Sequence, residues 1–160
     1  MPEGRQIRGA GVVLKVGAER SRSWSVFEAE VQPGFDVGAH LHRDAEELFY
    51  LLEGELDLLA FEPRSRTGDW RTWESASGAK VVRGGPGSLM LVPSGCPHAF
   101  YNPGPAPVRM LFQVAPPGHE RYLEELAELL ARSGPPDPDA IAEVRARHDI
   151  DQLTPMVPAR

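Results

Sequence analysis

Short runs in which apolar and polar residues alternate fill the first two-thirds of the chain. Between Ser25 and Val31, small or apolar residues occupy every second position, and Glu28 and Glu30 lie between them. A period of two is typical of a β-strand with one buried face. This pattern, together with short runs rich in β-branched and aromatic residues, predicts strands at residues 12–16, 23–31, 47–52, 55–61, 70–73, 80–83, 88–92, 98–101 and 108–115.

Turn-forming residues separate the predicted strands. The chain contains 16 glycines and 16 prolines, and many of them fall between the runs. Short strands joined by frequent turns are typical of an all-β sandwich or barrel. The polar segment 62–80 is predicted to form an extended hairpin or lid. Its Trp70 and Trp73 are predicted to pack on the barrel, and an aromatic lip over a cavity is the alternative.

The pattern changes to a helical period after residue 117. Residues 119–132 carry leucines and Tyr122 at helical spacing, and Asp137 followed by Pro138 is a typical start for a second helix over 138–147. We therefore expect a β-barrel over residues 1–117 and a helical extension with an irregular tail over 118–160. We expect the helices to pack outside the barrel or at a subunit contact, without a catalytic role.

Composition narrows the class of protein. A chain of 160 residues fits one domain with an extension, and its net charge of −6 argues against nonspecific binding of nucleic acid. The N-terminus shows no signal peptide and no apolar run approaches membrane-spanning length. The single Cys96 fits a reducing compartment. These features predict a cytoplasmic protein with neither nucleic acid nor membrane as a partner.

Candidate metal ligands lie at the start of a predicted strand. His40 and His42 are separated by one residue, so both side chains point to the same face of an extended chain, and Glu47 follows five residues later. Two imidazoles and a carboxylate are suitable ligands for a divalent metal if a further residue completes the set.

Two stretches of the chain resemble the two motifs of the cupin superfamily. The first, over 34–54, is matched by Gly34, His40, His42, Glu47 and Gly54. The second, over 87–102, is matched by Gly87, Pro93, Gly95, His98 and Asn102. No motif position departs from the family pattern, and the resemblance covers roughly residues 20 to 116. The motif glycines, Pro93 and Asn102 are predicted to form turns.

The resemblance implies an all-β fold, a cupin jelly-roll barrel followed by two C-terminal α-helices. It also implies that one divalent transition metal (Fe, Mn, Ni, Co, Cu or Zn) is bound by His40, His42, Glu47 and His98, with His119 and His148 outside the barrel. Three neutral imidazoles and one carboxylate leave a metal centre with a charge of about +1, which suits an anionic or chelating small-molecule substrate. A homodimer is a further expectation for the family.

Among cupins, this ligand set is similar to that of the quercetinase-like dioxygenases. It implies a metal-dependent dioxygenase for a small enolisable or hydroxylated aromatic compound, with Glu47 as both ligand and proton acceptor. The predicted pocket lining is Phe49, Leu51, Phe100, Met110 and Phe112. One alternative is a metal-dependent isomerase or lyase for a sugar or keto acid, with Arg83 and Arg109 as candidate anion clamps. Another is a non-catalytic cupin that binds a small ligand.

Overall fold

Two antiparallel sheets form the body of the protein in the computed structural model, which describes residues 4–7 and 9–159. The six-stranded sheet contains, in spatial order, β1 (Arg5–Ile7), β2 (Val12–Val16), β3 (Ser25–Val31), β10 (Val108–Ala115), β5 (Glu46–Glu53) and β8 (Leu89–Val92). The five-stranded sheet contains β11 (Asp151–Gln152), β4 (His40–Leu41), β9 (His98–Tyr101), β6 (Leu56–Ala60) and β7 (Val82–Gly84). Helices α1 (His119–Leu130) and α2 (Pro138–Arg147) follow β10. This architecture confirms the predicted all-β fold with two C-terminal helices.

The core lies between the sheets because alternate residues of the long strands point inward. Along β10 every second side chain from Val108 onward is buried. Phe112 lies opposite Phe49 of β5 and opposite Phe27 of β3, and its ring stacks on that of Phe27 with 4.5 Å between centroids. The predicted period-two pattern therefore gives both the strands and the inward face correctly for this part of the sheet.

The prediction of a strand over 70–73 is wrong. Trp70–Thr72 form a single 3₁₀ turn, and the Asp69 side chain caps it by accepting from the backbone N–H of Arg71. Trp70 and Trp73 are buried in a small cluster that packs against the five-stranded sheet. The segment packs against the barrel, as predicted, and the alternative of an aromatic lip does not apply. Neither tryptophan lines the cavity that is described below.

The tail after α2 is irregular over most of its length, as predicted, but it also contains one short strand. This strand, β11, pairs with β4 and places Gln152 opposite His40. Short strands β1 and β4 were likewise not predicted. The division of the chain after residue 117 stays a prediction, but β11 belongs to a sheet of the barrel. Neither described helix has the length and apolar character needed to cross a membrane.

Candidate metal centre

Four side chains from both sheets meet inside the barrel. They are the four ligands predicted from the sequence, His40, His42, Glu47 and His98, and each offers one atom within 4.8 Å of those of the others. The pairing of β4 with β9 sets His40 directly opposite His98, whereas Glu47 reaches the same point from β5 in the other sheet. The cluster depends on the closure of the two sheets against each other.

Backbone carbonyl groups determine which nitrogen of each of the three imidazoles carries the hydrogen. Nδ1 of His40 lies 2.9 Å from the carbonyl of Gly38, Nδ1 of His42 lies 2.9 Å from that of Asp149, and Nδ1 of His98 lies 3.1 Å from that of Cys96. A carbonyl oxygen only accepts, so each Nδ1 carries the hydrogen and donates. In the neutral ring the other nitrogen, Nε2, then carries a free lone pair, which is the form that binds metals.

The inward-facing atoms of the cluster lie close together but do not form well-directed hydrogen bonds with one another. Oε2 of Glu47 is 2.7 Å from Nε2 of His98 and 3.4 Å from Nε2 of His42. All three of these atoms are buried, and none makes a well-directed hydrogen bond. Buried polar atoms are rarely left without a partner. Their convergence on a common point is the arrangement that a metal cation would satisfy.

Burial and mutual contact set the charges of the cluster. Burial favours the neutral form of Glu47, but the His42 and His98 imidazoles hold the pKa of that carboxyl well below its usual range. Burial also lowers the pKa of His40 well below its ordinary value, which keeps that ring neutral. Burial acts to lower the pKa of His42, yet the Glu47 carboxylate outweighs it and raises that pKa. The site is therefore a buried anion that favours a cation beside it.

A cavity of about 420 Å³ opens from the cluster toward α1. Among the residues predicted to line it, Phe49, Phe100, Met110 and Phe112 lie in its wall. Leu51 does not, because it is fully buried in the core beside them. The wall near the cluster is aromatic and apolar.

His119 is the main functional candidate that the sequence interpretation missed. It was expected outside the barrel, but it lies in the cavity wall with its ring 5.8 Å from that of His42 and 6.3 Å from that of Phe112, centroid to centroid. Burial lowers the pKa of His119 to about 4, so the imidazole is neutral at neutral pH. The first residue of α1 therefore lines the cavity, whereas the expectation that the helices lack a catalytic role stays a prediction.

The placement of His119 follows from the residue after it. The Glu120 carboxylate is buried and accepts hydrogen bonds from Ser25 Oγ at 2.7 Å and from the backbone N–H of Ala18 at 2.7 Å. These contacts hold the first turn of α1 against the ends of β2 and β3. A histidine and a glutamate after Pro116-Pro117-Gly118 mark a helix start, but no local pattern indicates which way they point.

The two arginines considered as anion clamps face away from the cavity. Arg83 donates to Asp57 at 2.9 Å, and Arg109 bridges Glu28 and Glu53 at 2.8 and 2.7 Å. Neither is among the residues that line the cavity. Both belong to cross-strand ion pairs on the outer surface, so neither can hold a substrate at the cluster.

Comparison with known proteins gives a family and a fold. The family described as cupin matches residues 5–136. No curated protein sequence matches the chain. Among solved structures, the oxalate decarboxylase–formate complex of Lactobacillus farciminis is 24% identical over 69% of this chain and 30% of its own, with a TM-score of 0.52.

Two further solved structures resemble the barrel. A predicted oxalate decarboxylase from Thermotoga maritima is 20% identical over 65% of this chain and 77% of its own, with a TM-score of 0.50. An uncharacterized conserved protein with a double-stranded β-helix domain from Klebsiella pneumoniae is 17% identical over 66% of this chain and 71% of its own, also with a TM-score of 0.50. At these identities the likeness concerns the fold alone.

Proposed function

Because this chain belongs to the cupin family, we propose that it is a metal-dependent enzyme, and specifically a dioxygenase that acts on a small enolisable or hydroxylated aromatic compound. The observation that carries the proposal is the convergence of three imidazoles and one carboxylate, in which Nε2 of His42, Nε2 of His98 and Oε2 of Glu47 are buried without a well-directed hydrogen-bond partner. His40, His42, Glu47 and His98 would hold one divalent transition metal of the set Fe, Mn, Ni, Co, Cu and Zn. Once bound, such an ion supplies a positive centre that favours the deprotonated form of a phenol or enol.

Glu47 is the residue best suited to move a proton. Glu47 lines the cavity, and its Oε2 atom lies 3.4 Å from Nε2 of His42 and 2.7 Å from Nε2 of His98. The low pKa of this carboxyl makes it a weak base at rest. A substrate that separates it from its imidazole neighbours would raise that pKa, because burial alone favours the protonated form. Glu47 could then accept the hydroxyl proton of the substrate.

The remaining wall selects and orients the substrate. Phe49, Phe100 and Phe112 offer flat apolar surfaces that suit an aromatic ring and exclude water. The neutral His119 imidazole has no hydrogen-bond partner among the described residues, so it is free to bond a polar substituent. The volume of about 420 Å³ lies toward the small end for ligand pockets and fits a compact molecule.

The direct test combines metal analysis with oxygen uptake. Chelated protein is reloaded separately with Fe²⁺, Mn²⁺, Ni²⁺, Co²⁺, Cu²⁺ and Zn²⁺, and occupancy is measured by elemental analysis. Each form is then incubated with flavonols and enolisable diols in an oxygen electrode. We expect one metal ion per chain and O₂ uptake matched to substrate loss. His42→Ala should lose most of the metal, whereas His148→Ala should keep it, because His148 bonds Glu125 outside the cavity.

A redox-neutral reaction on a keto acid is the second candidate, because an arginine, Arg145, lines the same cavity. Metal-dependent product formation at an equal rate without O₂ would favour this isomerase or lyase activity over the dioxygenase. Full metal occupancy in His42→Ala would contradict the ligand assignment in both cases. Metal binding without turnover of any compound would favour the third alternative, a non-catalytic protein that binds a small ligand.

We further propose that the chain acts as a cytoplasmic homodimer joined through the edge of the six-stranded sheet. β8 has only β5 as a neighbour in that sheet, and it exposes Leu89 and Leu91 beside Tyr50. An exposed apolar edge strand favours pairing with a second copy. Light scattering should give a dimer mass that falls to a monomer in Leu91→Lys. Trp24→Lys, an exposed position before β3, should not change the mass.

A further inference from the structure

One cation lines the cavity without a carboxylate partner. Arg145, on α2, is the only arginine or lysine among the described residues of the wall. Its Nε atom is buried and makes no hydrogen bond, and no described carboxylate forms an ion pair with it. Arg147, two residues later, behaves as arginines usually do and binds Glu125 at 2.6 Å on the surface. The two side chains differ in what they face: Arg147 faces an acid and Arg145 faces the cavity.

A row of contacts connects Arg145 to the metal cluster. The ring of His119 lies 5.8 Å from that of His42, and the ring of Tyr122 lies 5.4 Å from that of His119. The Arg145 guanidinium lies beside the Tyr122 hydroxyl and opposes the rise in the pKa of that hydroxyl caused by burial. Arg145 is thus connected to the cluster through Tyr122 and His119.

Leaving such a charge unpaired works against folding. A half-buried guanidinium pays a desolvation cost that an ion pair normally offsets. Packing of the Arg145 methylene groups explains where the aliphatic part of the side chain lies, but it does not explain why the guanidinium points into the cavity. A lysine or glutamine would satisfy the Tyr122 hydroxyl equally well, whereas a planar guanidinium matches a carboxylate with two parallel hydrogen bonds.

We propose that Arg145, assisted by the Tyr122 hydroxyl, binds a carboxylate at one end of a substrate whose chelating oxygens lie at the metal cluster. This inference rests on the proposed function for the chelating end only. A carboxylate suits the site because one guanidinium and one phenol offer donors for two oxygen atoms and for a single charge. Glu30, the other acidic residue among the described residues of the wall besides Glu47, is exposed, accepts a hydrogen bond from Gln32 and would repel a second anionic group beside it.

The lining of the cavity limits what joins the two ends of the substrate. Most of the lining residues are apolar, among them Phe49, Phe112, Leu123 and Leu126. An aromatic ring or a short apolar linker fits such a surface, whereas a sugar would leave its hydroxyls without partners. The substrate class is therefore a small aromatic or enolic acid with adjacent oxygens at one end and a carboxylate at the other.

Matched acid and ester probes test the role of Arg145. Zn²⁺-loaded protein is titrated calorimetrically with 3,4-dihydroxybenzoate, 3,4-dihydroxyphenylacetate and 3,4-dihydroxycinnamate, and with the methyl ester of each. The three acids place the carboxylate at three distances from the diol. We expect at least one acid to bind about tenfold more tightly than its ester, as a charge-assisted pair provides. Arg145→Gln should abolish this preference while the ester binds as before.

Two further variants keep the result interpretable. Arg145→Lys retains the charge without the planar fork and should keep part of the preference, which covers the case in which Arg145→Gln folds poorly. Arg147→Gln, the surface control, should keep the full preference for the acid over its ester. Absence of an acid preference in every pair, or its persistence in Arg145→Gln, would overturn the proposal. Failure of O₂ uptake with an intact acid preference would instead reject the dioxygenase and leave the Arg145 site standing.

Discussion

Nδ1 of His42 donates to the backbone carbonyl of Asp149, which lies 107 residues later in the chain, at 2.9 Å. Asp149 also uses its carboxylate, which accepts from the backbone N–H groups of Arg43 and Asp44 at 2.9 Å each. Asp149, two residues after the end of α2, thus holds both the imidazole of a predicted ligand and the loop that follows it. Contacts of this kind orient metal ligands and fix their tautomers.

Asp149→Ala should weaken metal binding by roughly tenfold or more. Asp149 has φ of 58°, a conformation that aspartate and asparagine tolerate better than alanine. The variant loses both hydrogen bonds to the 43–44 loop and strains the backbone, so the Asp149 carbonyl should shift away from His42. Competition with a chromophoric chelator for Zn²⁺ measures the affinity.

Two other substitutions at position 149 separate the causes. Asp149→Gly removes the carboxylate but accepts the positive φ, and Asp149→Asn keeps an acceptor and tolerates that φ. We expect affinity to fall in the order wild type, Asn, Gly, Ala. Wild-type affinity in Asp149→Ala would mean that the His42 contact does not depend on this residue's conformation.

The sequence predicts the ligands but not the residues that hold them. The spacing of His40, His42 and Glu47 within one short stretch predicts a ligand cluster, and the resemblance of a second stretch to the cupin motif adds His98. A backbone carbonyl is present in every residue type, so the identity of residue 149 does not predict the contact with His42. The contact depends on the path of the chain after α2. Such long-range backbone contacts leave no signal in the local pattern.

The same limit applies to His119 and to the segment around Trp70. His119 is unremarkable as the first residue of an amphipathic helix, and only the docking of α1 on the barrel through Glu120 turns it into the cavity. The run 70–73 is too short to distinguish a strand from a turn by period alone. Asp69 before it is a capping residue, and this signal could have indicated the 3₁₀ turn.

Gly38→Ala should destabilise the protein and detach the tail from the barrel. Gly38 has φ of 73°, and a Cβ there would lie 2.5 Å from the carbonyl oxygen of Thr154 and 2.7 Å from that of Pro155. Neither backbone atom can yield without moving the tail that follows β11. We expect a loss of unfolding free energy larger than the roughly 1–2 kcal/mol for the positive φ alone, measured by urea denaturation.

Gly78→Ala is the matched control for Gly38→Ala. Gly78 has φ of 87°, but the nearest atom to its added Cβ is 4.0 Å away, on the Glu74 side chain. This variant therefore measures backbone strain without a steric clash. Equal losses in the two variants would show that the tail does not press on Gly38.

Trp70→Phe should cost about 1–3 kcal/mol of unfolding free energy. Trp70 Nε1 donates to both oxygens of the buried Asp36 carboxylate, at 2.9 and 3.2 Å. Phenylalanine fills most of the space but leaves this carboxylate short of a donor. Trp73→Phe should cost less, because Trp73 donates to the exposed Thr67, which can turn to water. A larger loss for Trp73→Phe would contradict the assignment.

Glu120→Gln should destabilise the fold by about 1–3 kcal/mol at neutral pH. The buried carboxylate accepts from Ser25 Oγ and from the backbone N–H groups of Ala18 and Gly118. A glutamine side chain would turn an N–H₂ group toward one of these donors. Unfolding in urea followed by circular dichroism measures the difference, and the displaced helix start should also change the environment of His119.

The pH dependence of this difference follows from the charge of Glu120. Burial acts to raise the pKa of its carboxyl, but the hydrogen bonds from Ala18 and Ser25 outweigh it and lower that pKa below the ordinary value of 4.5. A carboxyl whose pKa is lower in the folded state stabilises fully above its unfolded pKa, and this contribution is lost as pH falls through the folded pKa. The gap between wild type and Glu120→Gln should therefore be constant near neutral pH and narrow below about 4.5. A gap that stays constant down to pH values at which the carboxyl is protonated would mean that its charge does not hold α1.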